Sequence, residues 1–135
     1  MNDVPFIHLK TRSHYSILQS SITVKSLIIN AVKNDMPAIA LTDNCNLFGA
    51  MEFSQAALEN GIQPINGSIV TVTTEDIKVS KKNNFEITLL VVDYQGRKNL
   101  SKIVSISYEN FKFYKNKVIG LDDLCLHNKG LLALF

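Results

Sequence analysis

Apolar positions change period several times along this chain, and each change marks an element. Phe6-Ile-His-Leu-Lys10 alternates and predicts a first strand. The polar stretch Thr11 to Ser21 follows as a loop. Thr23 can cap a helix over about Val24 to Asn34, where Leu27, Ile28, Ala31 and Val32 recur at helical spacing. Pro37 stops it. Ala38-Ile-Ala-Leu-Thr42 is continuously apolar and of strand length, as a strand buried on both faces requires. Asn46 is placed to cap a second helix, about Leu47 to Glu59, and Asn60-Gly61 supplies the left-handed residues of a helix end.

Gln63 to Thr73 again reads as a strand, with Pro64 near its start and Gly67 as a bulge or bend. Glu75 to Asn84 is polar and predicts a hairpin or surface loop. Glu86 to Asp93 is a strong strand. Gly96 to Tyr108 is a third amphipathic helix, with Leu100, Ile103 and Val104 on one side. Leu131 to Phe135 is a last buried strand, expected at an open sheet edge where its side chains would favour self-association. Short apolar strands alternating with helices predict an α/β protein with a largely parallel sheet. In such folds the chemistry sits on loops at the carboxyl ends of strands, which here are residues 10–20, 43–46 and 67–71.

Composition narrows the class without naming a ligand. Of 135 residues, 46% are hydrophobic and 19% charged, which is enough apolar material for a packed core. A net charge of +2 is too small to argue for nucleic-acid binding by itself. Lysine outnumbers arginine 12 to 2 beside abundant Ile and Asn, a bias that A/T-rich codons produce without selection for a lysine-rich surface. No apolar run is long enough to span a membrane, and residues 1–10 lack a signal-peptide pattern. Cys45 and Cys125 form no C-x-x-C pair, which fits a reduced cytoplasmic compartment.

Three stretches carry a resemblance. They are Phe6-Ile-His-Leu with Tyr15-Ser-Ile-Leu18, then Met36-Pro-Ala-Ile-Ala-Leu-Thr-Asp43 with Asn46-Leu-Phe-Gly-Ala-Met-Glu-Phe53, and Gly61-Ile-Gln-Pro-Ile65 with Gly67. Together they resemble the polymerase-and-histidinol-phosphatase (PHP) domain that begins the α subunit of bacterial DNA polymerase III. Leu89-Leu90, Gly96, Asn99-Leu100 and Gly130-Leu-Leu-Ala-Leu134 continue in register, so the resemblance covers nearly the whole chain. It implies the N-terminal part of a distorted (βα)7-type barrel, incomplete at the C-terminal end. Residues 1–135 would then be a portion of the PHP domain, with the rest of the barrel and the polymerase core absent.

Active members of that family hold divalent metals at the strand ends for phosphoester hydrolysis. The resemblance implies that this chain has lost the ligands. Lys10 and Arg12 stand at the family's first His-x-His pair, Gln19 at an aspartate, Asn44 at the histidine after Thr-Asp, and Ile69 at a glutamate. Glu86 is the nearest match to a further histidine, and Asp43 is a retained motif residue. Lys10 and Arg12 would repel a metal cation by about 4 kcal/mol per unit-charge pair at 4 Å near a surface. Arginine cannot deprotonate into a ligand, and Ile69 offers no donor atom. The expectation is no metal, no other cofactor and no catalytic residue. Lys10 or Arg12 is expected to lie within salt-bridge reach of Asp43 or Glu86, with Asp43 either ion-paired or serving as a turn or helix-cap acceptor.

Other residues carry readings of their own. His8 is a structural histidine or a residual ligand, and His14 a solvated loop residue. Cys45 could be activated near a helix N-terminus, although no base is in view. Lys112, Lys115 and Lys117 with Phe111, Phe113 and Tyr114 could touch nucleic acid, or form a solvated loop over buried aromatics.

By resemblance, the leading function is support of the polymerase core and docking of the separate proofreading exonuclease, with other polymerase III subunits as partners. DNA would be met only through the full-length polymerase, a DNA-directed DNA polymerase in the cytoplasm, and this chain alone would be inactive. Two alternatives stay open, an active metal-dependent phosphoesterase or nuclease and a non-functional remnant of a truncated polymerase gene.

Overall fold

The computed structural model describes residues 5–78 and 84–135. The chain divides into two compact units, Met1–Gly67 and Ser68–Phe135. The predicted hairpin or loop of residues 75–84 falls partly outside the described residues.

In the first unit, α1 (Val24–Lys33) starts where Thr23 accepts a hydrogen bond from the Ser26 amide at 3.1 Å. That cap contributes on the order of 1 kcal/mol. Its face of Val24, Leu27, Ile28 and Ala31 is buried against Ile39 and Leu41 of β1 (Ala38–Asn44) and against Phe53 and Ala57 of α2 (Ala50–Glu59). β1 is buried along almost its whole length, as its continuous apolar run predicted. Phe6–Lys10 is not a regular strand. The segment nevertheless runs beside β1, since Ala40 N donates to the His8 carbonyl at 2.8 Å and Thr42 N to the Thr11 carbonyl at 2.7 Å. α2 begins three residues later than the sequence predicted. Asn46 Oδ1 accepts from the Phe48 amide at 3.2 Å and closes a turn, and Gly49 takes the N-cap position.

β2 (Gln63–Thr73) starts in the first unit, where it neighbours β1, and ends in the second. In the second unit β3 (Asn84–Val91) lies between β2 and β5 (Leu131–Leu134). α3 (Tyr94–Tyr114) is longer than predicted, capped by Asp93 Oδ1 accepting from Gly96 N at 2.7 Å. Leu100, Ile103 and Val104 of α3 are buried with Ile87, Leu89 and Leu90 of β3 and Val118 and Ile119. Two short elements were not predicted, β4 (Ile119–Gly120), parallel to β2, and α4 (Leu121–Leu126). β5 is therefore not reached by a simple strand–helix–strand crossover. It pairs antiparallel with β3, Leu90 opposite Leu132, within a sheet expected to be largely parallel, and its residues are half-buried or exposed, which corrects the expectation of a buried last strand. β5 is last in the strand order, with Leu132 and Phe135 exposed.

Candidate functional site

The first unit gathers a polar cluster at the carboxyl end of β1. Thr42 and Asp43 end the apolar run, and both are buried. A buried carboxylate is tolerated only if its lone pairs are satisfied. Asp43 meets this requirement with the 13–16 loop: Oδ1 accepts from Ser13 N at 2.7 Å and from Ser16 Oγ at 2.6 Å, and Oδ2 from Ser13 Oγ at 2.7 Å. Ser16 Oγ in turn accepts from Asn44 N at 3.0 Å, so the loop is tied to two successive residues of β1. Asp43 thus acts as a loop acceptor, one of its two predicted roles. Thr11 adds a third tie, its amide donating to Thr42 Oγ1 at 3.0 Å.

The residues that the resemblance places at ligand positions fall as follows. Asn44 Nδ2 donates to Gln19 Oε1 at 3.1 Å, so two of them meet as a neutral amide pair. Lys10 is exposed, and Arg12 is half-buried with its carbonyl accepting from Ser20 Oγ at 2.9 Å. Ile69 and Glu86 belong to the second unit, Ile69 fully buried in β2 and Glu86 exposed near the start of β3. Among the described residues, no group of three or more His, Cys, Asp or Glu is arranged to hold a metal ion. His8 is exposed, its ring edge-on to Phe6, and His14 is exposed against Tyr15. Cys45 is buried at 3% exposure, which removes the access a reactive thiol needs.

Ser13, Ser16 and Tyr15 were missed by sequence reasoning as site residues. The available signal was a hydroxyl-rich loop facing a lone acid at a strand end. The Tyr15 ring lies so close to Gly49 that a Cβ there would meet it at 2.8 Å, and its hydroxyl donates to Glu52 at 2.9 Å. This bond, and then the nearby carboxylate charge, raise the Tyr15 pKa above the ordinary value of 10.0. Ionised Tyr15 would face an anion, so the contact strengthens the fold at lower pH and is lost as pH rises through the raised pKa. An ultraviolet phenolate titration is expected to show Tyr15 ionising late, and Glu52→Gln should move it back toward the ordinary value. An unchanged profile would show that the contact does not persist in solution.

Beside Asp43 lies a shallow cleft lined by residues that include Leu41, Asn46, Gly49 and Asn66, with no internal room for a water molecule. Asn66 Nδ2 donates to Ser54 at 2.9 Å, while its buried Oδ1 has no hydrogen-bond partner. The cluster as built ties the 13–16 loop to the end of β1.

The fold belongs to a known class. The PHP domain model matches residues 8–135, and the chain belongs to the PHP domain family. A solved amidohydrolase from Chromobacterium violaceum, with bound sulfate and no metal, has a TM-score of 0.59 at 25% identity, over 78% of this chain and 34% of that one. At the level of individual proteins, the chain is 39% identical over 129 residues to DNA polymerase III subunit alpha of Rickettsia felis, covering 96% of this chain and 10% of that protein. The same subunit of Chlamydia trachomatis is 37% identical over 134 residues, covering 96% of this chain and 11% of that protein. The chain spans about a tenth of the length of these curated relatives. Among the described residues no helix is long and apolar enough to cross a membrane.

Proposed function

We propose that this chain is the N-terminal PHP module of a bacterial replicative polymerase α subunit, with a degenerate metal site and a structural and docking role. The similarity to polymerase III α subunits over 96% of the chain carries the first part. The amide pair of Asn44 and Gln19 carries the second, because two positions that match family ligands satisfy each other instead of an ion. The residues present fit a divalent cluster poorly. Asp43 already accepts three hydrogen bonds from serines, and Lys10 brings a fixed cation to the same strand end. The side chains that remain can order the 13–22 loop and keep it packed on β1 and α2, which preserves a surface without performing hydrolysis.

In this reading the module supports the polymerase core and receives the proofreading exonuclease, in the cytoplasm, while nucleotidyl transfer belongs to the longer protein. A phosphoesterase reading lacks the ligand set, and no observation here favours a decayed gene over a working module. Calorimetric titration with the proofreading exonuclease of the same polymerase tests the docking role. A saturable one-to-one complex is expected. Absence of heat and of co-elution on gel filtration would overturn that role.

A further inference from the structure

The carboxyl end of α3 carries an arrangement that neither the fold nor the proposed docking role requires. The sequence offered Phe111, Phe113 and Tyr114 either as buried aromatics under a solvated loop or as nucleic-acid contacts. The structure removes the first choice, because these residues lie on a helix and are exposed, at 48%, 71% and 44%. Tyr108 is also exposed. The apolar face that α3 needs for packing is the separate one of Leu100, Ile103 and Val104, which is buried. The aromatic residues are thus surplus to the core.

Their placement is orderly. Tyr108, Phe111 and Lys115 recur at helical spacing on one face. Lys115 adopts a left-handed conformation at φ 55 and ends the helix, its amide donating to the Phe111 carbonyl at 3.0 Å. Asn110 Nδ2 then donates to the Val118 carbonyl at 2.8 Å and holds the next segment against the helix. This turn brings Lys117 Nζ over the Tyr108 ring at 4.0 Å, while Lys115 Nζ lies 6.0 Å from the Phe111 ring. Alongside, Lys112 Nζ is 5.7 Å from the Phe113 ring, whose centroid is 6.4 Å from that of Tyr114. Three lysines and four rings share this end, opposed within residues 108–117 by the single acid Glu109.

We propose that this end of α3 binds single-stranded DNA, with bases stacked on the exposed rings and phosphates on Lys112, Lys115 and Lys117. Aromatic faces interleaved with cations match a strand whose bases are unpaired and whose backbone is anionic. Duplex DNA presents no free base face, so the rings would add nothing there. A membrane surface would favour a helix with a continuous apolar face to bury, and that face of α3 is already inside the protein. This contact would be made by the module itself, in contrast to the expectation that DNA is reached only through the rest of the polymerase. It stands on α3 and does not depend on the docking role or on the metal site.

The test is fluorescence anisotropy of the 135-residue chain with a labelled oligothymidylate of about 15 nucleotides, across a salt series. Three neutralised phosphates predict that log K falls against log salt with a slope of about −2. Replacing Lys112, Lys115 and Lys117 by glutamine is expected to weaken binding at low salt by about tenfold or more and to flatten the slope. Phe111→Ala with Phe113→Ala should weaken binding by a similar factor and leave the slope unchanged. All five positions are on the surface or at its edge, and an unchanged far-UV spectrum would show that the variants fold. Lack of saturable binding, binding indifferent to both sets of changes, equal affinity for duplex of the same length, or preference for vesicles of phosphatidylserine and phosphatidylcholine would each overturn the proposal.

Discussion

Gly96→Ala is expected to destabilise the protein by about 3–5 kcal/mol, although alanine is the better helix former by about 1 kcal/mol. Gly96 sits in the first turn of α3, where a Cβ would lie 1.8 Å from the Gly130 carbonyl oxygen. No side-chain rotation relieves this clash, because the atom it meets is backbone. The turn at residues 128–130 would have to leave the helix. That turn is held by Asn99 Nδ2 donating to the Lys129 carbonyl at 2.7 Å and by Val92 N donating to the Gly130 carbonyl at 3.0 Å. Gly130 itself has φ +75, and a Cβ there would come within 2.2 Å of the Asp93 carboxylate that caps α3. Both glycines are therefore fixed by one close approach of backbone to backbone. Gly61 provides the control. It has φ +71 but nothing within 4 Å, so Gly61→Ala should cost only the left-handed backbone penalty of about 1–2 kcal/mol. Urea unfolding of the three proteins checks the order. A neutral or stabilising Gly96→Ala would mean that this approach is looser in solution.

The second large effect is expected at Asp43. Asp43→Ala removes the acceptor for Ser13 N, Ser13 Oγ and Ser16 Oγ and leaves buried donors behind. Hydrogen bonds to a charged group contribute about 1.5–3 kcal/mol each and do not add fully, so a loss of about 3–5 kcal/mol is expected. Asp43→Asn keeps the shape and one acceptor oxygen and should lose about half as much. Ser13→Ala and Ser16→Ala should each cost less than Asp43→Ala, because the carboxylate retains other donors. A change within about 0.5 kcal/mol for Asp43→Ala would place the residue outside the structural framework.

Much of the fold was legible in the sequence where one force dominates. The run Ala38 to Thr42 is buried on both faces, and nothing but a strand covered on both sides of the sheet suits it. α1 follows from its cap and from Leu27, Ile28 and Ala31, whereas Val32, predicted on the same face, is exposed and Val24 is buried with them. Errors arose where local pattern and tertiary contact disagree. Leu47 and Phe48 continue the helical period of α2, yet Asn46 closes a turn on Phe48 and the helix starts after Gly49, against which Tyr15 packs. Phe6–Lys10 alternates like a strand but pairs with β1 too irregularly to be one. β4 has two residues and leaves no periodic signature. The aromatics after Tyr108 looked like loop anchors because their exposure on a helix cannot be read from spacing.

The site was legible only in part. The strand-end residues that the resemblance picks out, Asp43 among them, could be named from the sequence. Which of them meet could not be, because the Asn44–Gln19 pair and the Ser13–Asp43–Ser16 network join residues 25 to 30 positions apart. The unpredicted Glu52–Tyr15 contact spans 37 positions for the same reason.

The central claim is that this PHP module keeps its strand-end cluster for structure and holds no catalytic metal. Incubation of purified protein with zinc and manganese, desalting, and elemental analysis per chain test it directly. The account predicts far less than one ion retained per chain, unchanged by Asp43→Ala. One or more ions retained per chain, and lost on Asp43→Ala, would contradict it.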